Sequence, residues 1–531
     1  MRVPAHAALG LLMTALLAQH AVAAERSAVT GTSWAADSTG GVQLAAANDN
    51  KLTTVEELRA LLERQQQMIS AQERQLQAQQ SQIYQQQQDI ADQRAVLQQV
   101  QARLADADSG DLPAARADEP ELLAKVQSLE ERLASIPEDP RQALDDPEFP
   151  GSFRVPGTNA RMKFGGFVKA ALVQSFDPLV SKDRFVVGSI PVDRALVGAE
   201  KETSLTANRS RMNLELRDKT ALGDLRGFIE GDFAGSGDTF RLRHAYGQYR
   251  NFLTGKTWST FYDPQAWPEE VDFEGLNGGT ILRQTQVRWF PELGKNWDLQ
   301  FAIEDPTSQA SEIDLTGSPD ENDPDFNPDF GQQKKSASVT DWPDFVASIR
   351  RTWFGRWHLK TAFVLHPVKA QYGQRADLPT ENEWGWGFSE SGVVSAPWLD
   401  ERDNIRFQVL YGEGVSRYVN DANSIGGQDA VFTPDGSELK TLPILAGFLA
   451  YQHWWSDKLR SNFIFSAVDI DNESFQSDSA YKRTVRVSTN VFWSPTPRMD
   501  LAAEYLWGKR ENKNGDDDDA TQIQFATKYR F

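Results

Sequence analysis

The chain ends on a pattern that only a strand satisfies. From Thr521 to Phe531 the residues alternate: Ile523, Phe525, Thr527, Tyr529 and Phe531 fall on one face, and Gln522, Gln524, Ala526, Lys528 and Arg530 on the other. A strand reverses its side chains at every residue, so this segment has one apolar, aromatic-ended face and one polar, basic face. The same period recurs after Arg161. Arg209, Arg211, Asn213, Glu215 and Arg217 alternate with Met212, Leu214 and Leu216, and Arg226, Glu230 and Asp232 with Leu225, Gly227, Ile229 and Phe233. Near the end, Arg486, Ser488 and Asn490 alternate with Val485, Val487, Val491 and Trp493. Alternation alone leaves two readings. In a soluble sheet the polar face meets water outside, whereas in a membrane barrel it lines the lumen and the apolar face meets lipid.

The connections discriminate. Sixteen candidate strands fall near 161–175, 207–218, 223–233, 240–250, 252–258, 281–290, 296–304, 344–354, 357–366, 384–395, 403–412, 444–455, 459–469, 482–493, 498–508 and 521–531. Connections after most even-numbered strands are short, such as Asn251 and Ser456–Lys458, and those after odd-numbered strands are mostly longer, with 305–343 and 413–443 the extremes. Short turns at one end, long loops at the other and an even strand count predict a closed antiparallel transmembrane β-barrel over residues 161–531. Closure pairs every backbone group in lipid without leaving an edge. It requires the last strand to pair back to 161–175.

Composition agrees. With 55 basic and 75 acidic residues the net charge is −20, which argues against a nucleic-acid partner. Mean hydropathy is −0.52, and outside the amino terminus the chain lacks the run of about 18 apolar residues that a spanning helix needs. Fifteen Trp, 29 Phe and 11 Tyr can furnish interfacial aromatic belts. Cysteine is absent, so disulfides and thiolate metal sites are excluded.

The amino-terminal part follows other periods. Residues 1–24 read as a signal peptide: Arg2, an apolar stretch from Ala7 to Ala18, and small residues at Ala21–Ala24. Residues 25–50 are small and polar and read as a flexible segment. A heptad then runs through Val55, Leu62, Ile69, Leu76, Ile83, Ile90, Leu97 and Leu104, with Gln65, Gln72, Gln79, Gln86 and Gln93 three residues later. It predicts an α-helical coiled-coil rod over 51–136, broken at 106–120, with a glutamine-rich layer that sets register at some cost in stability. Residues 137–160, with five prolines, read as a linker.

A conduit needs a polar lumen and a narrow point. The lumen faces supply Arg209, Arg211, Arg217, Arg226, Arg241, Arg243, Gln284, Gln286, Arg288, Arg350, Arg406, Arg460 and Arg486, with Lys528 and Arg530 toward the final mouth. Rings of Arg select anions, and guanidinium binds carboxylate bidentately. Balance by Glu215, Glu230 and Glu504 would instead make each such Arg part of a wet wall. The connection 259–280 holds Tyr262, Trp267, Glu269, Glu270, Asp272 and Phe273, and is aromatic enough to fold inward as a constriction loop. Phe525, Tyr529 and Phe531 are assigned to barrel closure and assembly. The acidic runs 320–329 and 516–519 read as solvated surface, without the spacing of a defined Ca²⁺ loop. No histidine sits in a helical zinc motif or a nucleophile turn, so neither an enzymatic role nor a cofactor is expected.

At this point the residues resemble a known family. Phe164–Lys169, Arg209-Ser210-Arg211, Leu242–Tyr246, Gly255–Phe261, Tyr411–Gly414, Arg417-Tyr418 and the terminal Phe531, in this order behind a signal and a rod, look like a DcaP-like outer-membrane porin. The resemblance implies a homotrimer of sixteen-stranded barrels in the outer membrane of a Gram-negative bacterium, with a periplasmic amino-terminal coiled coil. It also implies insertion by the barrel-assembly machinery, which reads the terminal Phe531, and uptake of small organic anions such as dicarboxylates. The competing expectation is a structural or adhesive outer-membrane protein whose barrel merely anchors the rod.

Overall fold

A computed structural model describes residues 148–155, 158–192, 201–220, 223–313, 333–355, 357–374, 380–425 and 428–531. The signal, flexible and rod segments predicted for 1–136 lie outside the described residues.

Sixteen long strands form one antiparallel sheet: β1 (Arg161–Ser175), β2 (Arg211–Thr220), β3 (Gly223–Asp232), β4 (Arg241–Tyr249), β5 (Phe252–Trp258), β6 (Arg283–Trp289), β7 (Trp297–Glu304) and β8 (Asp344–Trp353), followed by β9 (Trp357–Gln371), β10 (Thr380–Ser395), β11 (Asn404–Glu413), β12 (Pro443–Ser456), β13 (Leu459–Ile470), β14 (Tyr481–Thr496), β15 (Met499–Asn512) and β16 (Asp517–Arg530). Each pairs with the next, and β16 pairs back to β1 from Phe167 opposite Arg530 to Ser175 opposite Gln522. The barrel is closed. The register makes a direct test in a chain without cysteine: Leu172→Cys with Phe525→Cys, directly opposite, is expected to cross-link on mild oxidation, and Leu172→Cys with Tyr529→Cys to stay open on a non-reducing gel.

The alternation resolves as an apolar exterior. Phe363, Phe388, Leu449, Phe465, Phe525 and Tyr529 are exposed on the outer wall. Trp289, Trp297, Trp493 and Phe531 gather near the short-turn end, and Trp384, Trp386 and Tyr411 near the other. Arg351 lies between the rings of Trp297 and Trp353, at 5.1 and 5.3 Å from their centroids, where a cation can reach lipid headgroups.

The predicted linker is not bare throughout. Phe149 is buried beneath the Arg217 guanidinium, 4.1 Å from its ring centre, and Phe153–Arg154 pair with the start of β1. Arg161 Nε donates to Ser152 Oγ at 2.8 Å. The residues just before β1 are therefore fastened to the barrel at its short-turn end.

The interior holds more chain than the sequence pattern predicts. Loop 259–282 lies within the barrel, placing Leu276 on Phe448, Ala450 and Ile464. Two further loops join it. In the loop after β1, Phe185, Val187 and Ile190 pack on Leu506 and Ala520. In the loop after β11, Val415, Tyr418, Val419 and Ile425 pack on Val364, Leu410 and Ile444. The apolar core thus sits inside the barrel, against inward-facing aliphatics that strict polar-in alternation does not anticipate. Asp421 ties two of the loops, accepting from the Gly188 amide at 2.8 Å and from Tyr481 Oη at 2.9 Å. Asn420 Nδ2 donates to the Glu274 carbonyl, which ties in the third.

Candidate functional site: a guanidinium-lined lumen

Loop 259–282 is held by charge as well as packing. Arg460 donates to both carboxylate oxygens of Glu269, at 2.5 and 2.7 Å. Arg486, fully buried, pairs with Glu270 at 2.8 Å and Asp272 at 3.3 Å. The amides of Val271 and Asp272 both donate to Glu504 Oε2 at 2.7 Å, and Gln524 donates to Asp272 Oδ1 at 2.8 Å. Gly278 fits because it has no side chain: a Cβ there would run into the carbonyl oxygens of Ala467 and Gly447. Glu269, Glu270 and Asp272 therefore turn toward β13–β16 and meet Arg460 and Arg486 there, while Glu274 pairs with Arg184 at 3.1 Å.

The opposite wall keeps its cations at the water. A cavity of about 460 Å³ lies between the loop and the wall that runs from β14–β16 round to β1–β6, lined by Lys169, Arg211, Arg241, Arg243, Arg283 and Lys528 from the barrel and by Arg184 and Arg209 from the loop after β1, with Glu274 and Asp500 also at its border. Phe273 projects from the constriction loop among the guanidinium groups: its centroid is 3.8 Å from Arg209, 5.5 Å from Arg241 and 5.8 Å from Arg243. Phe167 lies beneath Arg211 and Lys528, at 5.2 and 4.4 Å, and Trp258 beneath Arg283 at 4.5 Å. Aromatic faces hold these cations by their quadrupoles and so orient them without cancelling their charge.

Some are partly balanced. Arg243 pairs with Glu230 at 3.1 Å and Asp232 at 2.8 Å, Arg241 with Asp232 at 2.9 Å, and Arg209 with Asp183 at 2.5 Å. Burial tends to raise the Asp183 carboxyl, but Arg209 outweighs it and holds the group below the usual range. Arg211 reaches Glu230 only at 3.6 Å. A bulge in β4, where the register slips between Glu230 and Gly231, lets two successive residues, Arg243 and His244, turn inward.

The other predicted lumen residues face inward but do not line this cavity. Arg217 and Arg226 share Glu215 at 2.8 Å nearer the short turns. Gln284 bonds Glu304 and Tyr418, Gln286 donates to the Trp258 carbonyl, Arg288 donates to Gln286 and Gln300, and Arg350 pairs with Asp298 at 2.8 Å. Arg406 donates to the Trp267 carbonyl at 2.7 Å. Arg460 and Arg486 serve as anchors of the loop. Of the loop residues, Tyr262, Trp267, Glu270, Asp272 and Phe273 border the cavity, whereas Glu269 is turned to Arg460. Lys169, Arg184, Arg283, Phe167 and Trp258 escaped the sequence reading. Lys169 shares the inward face of β1 with Phe167, a signal that alternation could have yielded; Arg283 sits at a loop-to-strand junction, where alternation has no purchase. The histidines are built into the wall: His358 bonds Asp263 at 2.7 Å, His366 bonds Asp344 at 2.6 Å, His453 bonds Asp403 at 2.8 Å and His244 bonds Thr257 at 3.0 Å.

The family model described as DcaP outer membrane protein matches residues 154–317 and 364–531. This chain belongs to the DcaP family. Among solved structures it is similar to the outer membrane channel DcaP of Acinetobacter baumannii, at 21% identity and a TM-score of 0.59, covering 71% of this chain and 99% of that one. Weaker likenesses include OmpT of Vibrio cholerae, at 13% identity and TM-score 0.41 over 71% of this chain and 99% of that one. An anion-selective porin from Comamonas acidovorans gives 8% and 0.44 over 70% and 100%. No curated protein matches the chain. The chain is thus an outer-membrane protein with the fold of a closed sixteen-stranded barrel.

Proposed function

We propose that the channel passes small hydrophilic solutes by diffusion and favours organic anions, carboxylates and dicarboxylates first among them. The observation that carries this reading is the division of charge around the cavity. Glu270 and Asp272 are consumed by Arg486 and Glu269 by Arg460, while Arg283 and Lys528 face the lumen with no ion pair among the described residues and Arg211 has only the 3.6 Å contact to Glu230. A guanidinium offers two parallel donors that match a carboxylate, and several in one cavity can hold both ends of a short dicarboxylate. Purified protein in a planar bilayer under a salt gradient should give a reversal potential of anion-selective sign, and succinate should reduce the chloride current at millimolar concentration. A cation-selective current would overturn the proposal.

The same reading places residues 1–24 as an export signal and 51–136 as a periplasmic rod, and takes the functional unit to be a homotrimer. Phe525, Tyr529 and Phe531, all exposed on the final strand, are the surface offered to the assembly machinery and then to lipid. Deleting 51–136 should leave an inserted, conducting barrel, read by heat-modifiable gel migration.

A further inference from the structure

The outer wall carries two charges at a depth where lipid would meet apolar groups. On β5, Leu253, Gly255 and Thr257 stand opposite the inward-facing Arg288, Gln286 and Gln284, so Phe252, Thr254 and Lys256 point outward. Phe252 pairs with Trp289 in the aromatic belt at the short-turn end. Lys256 stands four residues further along the strand, which for a tilted strand is about 10 Å toward the middle of the hydrocarbon. Further round the barrel, in the hairpin of β8 and β9, Trp353 pairs with Trp357 at the same end, and Thr361 stands four residues beyond Trp357. Thr361 lies opposite Glu390 of β10 and donates to its carboxylate at 2.6 Å. Glu390 shares that outer face with exposed Phe363, Phe388 and Val409.

Lys256 on β5 and Glu390 on β10 are therefore at one height, opposite in sign, and on separate sectors of the circumference. Among the described residues, no ion pair satisfies Lys256 within its own barrel. A charge facing acyl chains is costly at this depth, which makes a protein neighbour the better environment. The ground around Lys256 is shaped for one. Its cross-strand neighbours are Ala245 and Thr285, and Gly247 lies opposite both Thr254 and Gly227. These small side chains make a shallow depression in a wall that elsewhere carries Phe, Trp and Leu, and small residues let two walls approach closely.

We propose that this depression receives a second copy of the chain, whose Glu390 pairs with Lys256. Because the two residues occupy different sides of the barrel, the contact joins unlike surfaces, and repetition of such a head-to-tail contact closes a ring. The inference rests on the homotrimer reading and assigns that assembly a contact.

The test uses full-length protein extracted in mild detergent. Lys256→Glu and Glu390→Lys are each expected to make the oligomer dissociate about tenfold more readily at equal detergent, and the two together to restore it. Heat-modifiable migration reports that each barrel is folded. Should a reversed charge block folding, Lys256→Met and Glu390→Gln replace them: each alone weakens the oligomer, and the pair recovers most of it. A wild-type protein that is monomeric would overturn the trimer reading and this contact together. An oligomeric wild type that tolerates every single substitution would overturn the contact alone, and failure of both double variants to recover would overturn the pairing.

Discussion

Replacing Arg211, Arg283 and Lys528 together by Gln is expected to cut the anion-to-cation permeability ratio about tenfold and to move the reversal potential toward or past zero. A unit charge about 8 Å from a permeating ion contributes ~2 kcal/mol at an effective dielectric constant of ~20. Screening over a Debye length of ~8–10 Å reduces this, so three charges together leave roughly the 1.4 kcal/mol that a tenfold change requires. These three have no carboxylate closer than the 3.6 Å between Arg211 and Glu230, so their removal strips charge from the lumen without orphaning a tightly paired acid. Arg243→Gln would be a poorer probe, because Asp232 is buried and depends on it at 2.8 Å. Unchanged selectivity in the triple variant would remove these three cations from the conduction path.

Arg486→Met is expected to free the constriction loop and raise single-channel conductance several-fold, with added current noise. Arg486 is fully buried and faces both Glu270 and Asp272, so its loss leaves two buried carboxylates without their cation. Removing one partner of a buried ion pair costs ~3–5 kcal/mol. The strands keep their hydrogen-bonded ladders and the barrel should stay closed, so the cost falls on docking of the loop. Adding Glu270→Gln and Asp272→Asn to Arg486→Met should return conductance toward the wild-type value, because neutral amides tolerate the same pocket. If conductance in Arg486→Met stays at the wild-type level, the Arg486 clamp does not hold the loop.

Much of the barrel was legible because strand direction is a local property. The alternation of Arg209 through Leu216 places side chains on two faces whatever the rest of the chain does. The short Ser456–Lys458 connection and the longer run from Ser259 to Thr280 assign ends, and the terminal strand requires a partner that β1 supplies. The local rule does not reach the interior: Val364, Leu410 and Ile444 face inward though apolar, and form the floor on which the loop after β11 packs. Arg460 and Arg486 obey the alternation and do face inward, but the rule says nothing about what meets them there.

The sequence by itself determined the closed barrel, its even strand count, its apolar exterior and the presence of an inward aromatic loop, because each follows from side-chain period and loop length. Only the tertiary structure decided which charges are left for a solute. Glu270 meets Arg486 across 216 positions of sequence and Val271 meets Glu504 across 233. Such contacts arise from the docking of loops inside the barrel, and no local period encodes them. The net charge of −20 suggests an acidic channel; folding turns the constriction loop's carboxylates to one wall and leaves guanidinium groups on the other.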